Sequence, residues 1–161
     1  GMIGVKTPDG VWFVSDALLN RKALEKYPFG YLIDVEAYLD TLEKLKALGH
    51  TLYVATSKPE TMSVEILEHF DMAKYFDIIA GASFDRSRSS KEDVIAYLLD
   101  QCGDYDEKIM VGDTAFDVIG AKAHGIPTVG VAWGYGKVED MKNAGAVSIA
   151  CTMDELFDAL K

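Results

Sequence analysis

The chain alternates short, β-branched apolar runs with amphipathic stretches, and that alternation leaves few folds open. The runs are Val11–Val14, Leu52–Ala55, Ile78–Ala80, Ile109–Val111, Thr128–Val131 and Val147–Ala150. All are short and most are bounded by Gly, Asp, Ser or Pro, the pattern of strands buried on both faces. Between them, 35–48 carries Leu39, Leu42, Leu45 and Leu48 at intervals of three, with Gly49 as a stop. Pro59 opens a second helical stretch. Ser89 with Glu92, and Thr152 with Glu155, read as capping boxes for two more. Strands and helices in this order predict one α/β domain with a doubly wound, mainly parallel sheet.

Composition narrows the partners. The 161 residues include 16 basic and 26 acidic side chains, a net charge of −10. Such a surface repels phosphate backbones, so nucleic-acid binding is not expected. No apolar run reaches the roughly 20 residues that cross a bilayer. No basic start followed by an apolar stretch is visible, and a cytoplasmic protein starting naturally at Met2 is expected. Cys102 and Cys151 lie far apart without a CxxC or Cys/His cluster, so buried reduced thiols are expected rather than zinc.

Ligands of parallel sheets bind beyond the carboxyl ends of the strands. There lie Ser15 and Asp16, then Thr56, Ser57 and Lys58, then Gly112 and Asp113 with Asp117 four residues on, then Trp133-Gly-Tyr-Gly136. Asp113 and Asp117 are about one helical turn apart, and two hard oxygen donors facing a cleft suit Mg²⁺. The competing reading makes Asp113 a helix cap. Thr56 and Ser57 precede a helix, where a hydroxyl and unpaired amides cradle an anion or simply cap. Lys91 stands at a helix start, against the dipole, a broken local rule that points to a bound anion or to a solvated surface lysine.

Together, Val54-Ala-Thr-Ser-Lys-Pro59, Arg88-Ser-Ser-Lys91, Val111-Gly-Asp-Thr-Ala-Phe-Asp117, Ala121-Lys-Ala-His-Gly-Ile-Pro127 and the Trp133–Gly136 loop resemble the haloacid dehalogenase superfamily, in particular its phosphoglycolate-phosphatase-like branch. The resemblance implies a sheet of order 3-2-1-4-5 with Val11–Val14 in the middle. It implies Mg²⁺-dependent hydrolysis of a small phosphate monoester. Thr56 and Ser57 would bind phosphate, Lys91 would bridge phosphate and nucleophile, and Asp113, Asp117 and Asp16 would serve the metal. Asp16 and Lys91 are the catalytic residues expected.

The sequence departs from that family in two places. The family's first strand ends Asp-x-Asp-Gly-Thr, where the first Asp attacks phosphorus and the second moves protons. Here Val11-Trp-Phe-Val-Ser-Asp16 puts Val14 at the nucleophile position and Asp16 at the acid/base position. Making Asp16 the nucleophile instead puts Leu18 in the acid/base place. A further reading treats residues 2–20 as an unrelated start. Relatives also insert a helical cap after this strand, whereas only Arg21–Asp34 is available here. Expectations are therefore a capless single domain, open to water or closed by a homo-oligomer neighbour, with weak activity. The alternative is a catalytically impaired, phosphatase-like binding or regulatory protein.

Overall fold

The computed structural model describes residues 2–5, 11–14 and 35–161 apart from 106. Its strands are β1 (Met2–Val5), β2 (Val11–Val14), β3 (Thr51–Pro59), β4 (Ile78–Ala82), β5 (Lys108–Gly112), β6 (Thr128–Val131) and β7 (Ser148–Ala150). The helices are α1 (Val35–Ala47), α2 (Glu60–His69), α3 (Lys91–Gln101), α4 (Ala115–Ala123), α5 (Val138–Ala144) and α6 (Met153–Leu160). One sheet runs β4-β3-β1-β2-β5-β6-β7.

β2 is parallel to both β3 and β5, with Val14 opposite Val54 and Trp12 opposite Ile109. β3–β4, β5–β6 and β6–β7 are parallel too. The sheet differs from the expected one by β1, which runs antiparallel to β2, β3 and β5. Met2–Val5 is too short and glycine-broken to announce a strand, but it lies beside β2 through Gly4–Trp12 and Val5–Val11 pairing. The fold class is the one expected.

The core is centred on β3 and β5. Leu52, Val54, Ala55, Met110 and Val111 are buried, with Leu98 of α3 and Ala121 of α4 against them. α3, α4 and α5 pack in series, and α1 packs against α6. On α1 the buried face is Tyr38, Leu42 and Leu45, while Leu48, the residue after its end, is half exposed. The leucine spacing misleads because three residues turn about 300°, so each step slips about 60° around the helix. After three steps the side chain has left the buried stripe.

Caps also fall one residue from expectation in one case. Ser90, not Ser89, caps α3: its hydroxyl accepts from the Asp93 N–H at 3.0 Å, and the Asp93 carboxylate accepts from the Ser90 N–H at 3.0 Å. Asp93 replaces Glu92 in the box because it stands at N3, three residues after Ser90. At α6 the Thr152 hydroxyl accepts from the Glu155 N–H, as expected, while Glu155 reaches back to the Cys151 N–H. Cys102 is half-buried and Cys151 is exposed, both free, so only the first approaches the buried thiol expected. Cys151 follows the short edge strand β7, where nothing covers it.

Trp133, just after β6, donates its indole N–H to the buried Tyr38 hydroxyl at 2.8 Å, tying α1 to the β6 loop. Burial, foremost, raises the Tyr38 pKa, opposed by the Trp133 bond and assisted by the Asp113 charge. Tyr38→Phe strands the indole N–H. It should lower stability by about 1–3 kcal/mol in urea unfolding, whereas no change would show that the tie carries no weight.

Candidate active site

Four buried polar side chains stand in the carboxyl-terminal part of β3, just after β5 and at the starts of the helices beside them: Thr56, Lys91, Asp113 and Asp117. β3 carries Thr56 just past its apolar run, and the Thr56 hydroxyl oxygen accepts from the Lys58 N–H at 3.1 Å. That bond lies in the stretch where the β3–β4 register shifts between Ala55 and Pro59, and Pro59 is the N-cap of α2. Ser57 at the turn is exposed.

Lys91 is the first residue of α3, yet it is only 7% exposed. Its ammonium lies 3.0 Å from the Ala55 carbonyl and 3.0 Å from Asp117 Oδ1. Burying an ammonium is costly unless it is paired and hydrogen-bonded, and both conditions are met. A backbone device makes room for it. A Cβ at Gly120 on α4 would come 2.9 Å from Lys91 Cγ, so the lysine stem crosses α4 where no side chain stands.

Asp117 is fixed from the other side. Its Oδ2 accepts from the Asp113 N–H at 3.1 Å, the Thr114 N–H at 3.0 Å and the Thr114 hydroxyl at 3.0 Å. Burial alone would push its carboxyl up. The Lys91 ammonium acts the other way by charge and hydrogen bond, and the carboxyl lies well below the usual carboxylate range. Gly112 permits this approach, since a Cβ there would sit 2.3 Å from Asp117 Cβ.

Asp113 is wrapped by the loop after β6. Its Oδ2 accepts from the Tyr135 N–H at 3.1 Å, and its carbonyl accepts from the Gly136 N–H at 3.0 Å. A Cβ at Gly134 would fall 2.1 Å from Asp113 Cβ, and one at Gly136 would fall 2.1 Å from the Asp113 carbonyl. Thr114, not Asp113, is the N-cap of α4. The helix-cap reading of Asp113 is thus set aside.

The structure brings Thr56, Lys91, Asp113 and Asp117 to one place and leaves Ser57 at its solvent edge. Asp16 lies outside the described residues. Val14 ends β2 opposite Val54, two residues before Thr56 in β3. Among the described residues no group of three or more His, Cys, Asp or Glu side chains gathers as a metal cage. Asp117 spends both oxygens on Lys91 and on the Asp113–Thr114 backbone, so its place is support for its neighbours.

Sequence reasoning named Gly112, Gly134 and Gly136 without giving them a role and passed over Gly120. Their signal was present, since all four stand in or beside the chemistry-bearing motifs. Exposed apolar side chains follow the carboxyl end of each neighbouring strand: Met62 after β3, Phe84 after β4, Phe116 after β5 and Tyr135 after β6. Trp133 instead packs against the core.

Residues 22–131 match the model of the haloacid dehalogenase-like hydrolases. The match begins behind Val11–Asn20. Tyrosine-protein kinase PtkA of Mycobacterium tuberculosis is 48% identical over 122 residues, 74% of this chain and 42% of that one. A 5'-nucleotidase of Pseudomonas aeruginosa is 40% identical over 104 residues, 64% of this chain and 47% of that one. Phosphoglycolate phosphatase of Escherichia coli is 30% identical over 146 residues, 87% of this chain and 58% of that one. The chain thus spans about half the length of the curated relatives it matches. Among solved structures, a haloacid dehalogenase-like hydrolase from Streptococcus pneumoniae has a TM-score of 0.68 at 30% identity, covering 76% of this chain and 58% of that one. No described helix is long and apolar enough to cross a membrane.

The buried pair sets an acid-stability signature. Asp117 has a depressed folded pKa, so its contribution is full above the unfolded value near about pH 4. It is lost as pH falls below that value toward the folded pKa. Urea unfolding at pH 6 and pH 3 should show wild type losing stability more steeply than Asp117→Asn. Equal slopes would mean that the Asp117 charge is not stabilised by its surroundings.

Proposed function

The chain belongs to the haloacid dehalogenase-like hydrolase family, and from that premise we propose that it binds a small phosphate monoester at the carboxyl ends of β3 and β5 and hydrolyses it slowly with Mg²⁺. The observation that carries this reading is the buried Lys91 ammonium, 3.0 Å from Asp117 and 3.0 Å from the Ala55 carbonyl, beside Thr56 and Asp113. A cation, a hydroxyl and the amides of a turn make a phosphate cradle within a fixed frame.

In this reading the phosphoryl oxygens rest on Lys91, the Thr56 hydroxyl and the Ser57 turn. Asp117 holds the Lys91 ammonium in place. The donor chemistry fits a hard cation: Asp113 presents a buried carboxylate whose Oδ2 is oriented by the Tyr135 N–H. Asp113 and Asp16 would hold Mg²⁺, which supplies charge neutralisation for phosphoryl oxygens when bound. The relatives include a 5'-nucleotidase and a phosphoglycolate phosphatase, which supports a phosphorylated substrate. They leave its identity open, since they name different reactions. With no sequence long enough for a cap between Val14 and α1, closure falls to the substrate or to a second copy of the chain.

A specific observation favours a second reading. Position 14 is valine, without charge or lone pair to attack phosphorus, and the family match starts at residue 22. In that reading the chain binds phosphorylated ligands but turns nothing over.

Mg²⁺-dependent turnover of an aryl phosphate separates the two readings. Loss of a key catalytic group commonly costs about 10⁴ to 10⁶ in rate, so wild type should be very slow and Val14→Asp faster. Robust wild-type turnover abolished by Asp16→Asn would make Asp16 the working nucleophile. No metal-dependent turnover in wild type or in a folded Val14→Asp protein would leave binding as the function.

A further inference from the structure

Arg88 stands three residues before Lys91, in the loop joining β4 to α3, and its side chain is 15% exposed. Its Nε donates to the Gly81 carbonyl at 2.7 Å, and its Nη2 donates to Glu60 Oε2 at 2.7 Å. The guanidinium also lies over the Tyr97 ring, 3.7 Å from its centroid. The same Glu60 oxygen accepts from the Gly81 N–H at 3.2 Å. One planar fork therefore joins the end of β4, the first turn of α2 and the middle of α3, a task that suits Arg and not Lys.

These attachments surround the phosphate cradle. Glu60 directly follows the Thr56–Pro59 turn. A Cβ at Gly81 would come 2.6 Å from both Glu60 Cα and the Lys58 carbonyl, so β4 and that turn are in direct contact. Within the loop, the Ser83 N–H donates to the Arg88 carbonyl at 2.9 Å, and the Arg88 N–H donates to the Ser83 hydroxyl at 3.0 Å. The loop closes on itself, and Arg88 is where it is fastened to the domain. Glu60 also has an electrostatic side. Its carboxylate lies in the first turn of the helix whose N-terminus borders the cradle, where an uncompensated negative charge repels phosphate. Arg88 neutralises it.

We propose that Arg88 is a positioning residue of the anion cradle. It touches no phosphate. It holds the Thr56–Lys58 turn and the Lys91 loop in mutual register, and it cancels the Glu60 charge beside them. The inference rests on the phosphate-binding reading above.

Calorimetric titration with inorganic phosphate in the presence of Mg²⁺ tests it in wild type, Arg88→Ala, Arg88→Lys, Glu60→Gln and the Glu60→Gln/Arg88→Ala double variant. Wild type that binds no phosphate overturns the cradle reading itself. If wild type binds, Arg88→Ala should bind about tenfold more weakly, a coupling of about 1.4 kcal/mol. Arg88→Lys should recover part of that loss, because its charge still faces Glu60. The double variant should bind more tightly than Arg88→Ala, since the uncompensated carboxylate is gone. A merely structural role gives the opposite order, because the double variant has lost both ends of the tie. Wild-type affinity in a folded Arg88→Ala protein overturns the inference. Should Arg88→Ala fail to fold, Arg88→Lys carries the test: it loses the two-pronged bond, so it should weaken phosphate binding, and unchanged affinity overturns the inference.

Discussion

The buried Lys91–Asp117 pair is the constraint on which the site depends. It spans from the start of α3 to the first turn of α4, and through the Ala55 carbonyl it reaches β3. Two charges taken out of water cost several kcal/mol unless each finds partners. Here Lys91 is met by a carboxylate and a carbonyl, and Asp117 by the ammonium and three further donors. Such a pair adds little net stability compared with an apolar replacement, but it fixes where a positive charge stands. A phosphate site needs that charge at one place more than it needs stability.

The surrounding architecture follows from giving this pair room. Helices α3 and α4 come together where Gly120 lets the lysine stem pass, and β5 ends at Gly112 where Asp117 must fold back. The Trp133–Gly136 loop then lies against Asp113 so closely that positions 134 and 136 admit no Cβ. Trp133 anchors that loop to α1 through Tyr38. Each contact ties a polar site residue to an element buried for apolar reasons. Met62, Phe84, Phe116 and Tyr135 are exceptions, large apolar side chains left in water in the segments that follow the strands.

Much of this was legible in the residues. Short continuous apolar runs and their Gly, Asp and Pro boundaries announced the parallel strands, because a strand buried on both faces must be apolar throughout. Lys91 was conspicuous as a cation at a helix start, and Asp113 and Asp117 by their one-turn spacing. What the sequence did not disclose was how the carboxylates divide their work. Spacing places Asp117 near Asp113, but only the fold shows its oxygens turned to Lys91 and the backbone. The leucine repeat of α1 misplaced one side chain because period three drifts against 3.6. β1 escaped notice because four residues with a central glycine carry too little pattern, and its place depends on partners far along the chain. Arg88 looked like one of several charges in a serine-rich loop, since stacking and two-pronged bonding are tertiary facts.

The central claim is that the Lys91 ammonium faces a bound phosphate. Side-chain ¹H–¹⁵N NMR of lysine ammonium groups reads this directly, because a buried, paired Lys91 exchanges its protons slowly enough to be observed while solvated lysines do not. Addition of inorganic phosphate with Mg²⁺ should shift the Lys91 signal in a saturable manner, and the shift should vanish in Thr56→Val or shrink strongly. A Lys91 signal that stays in place while phosphate binds would contradict the account and put the anion elsewhere on the molecule.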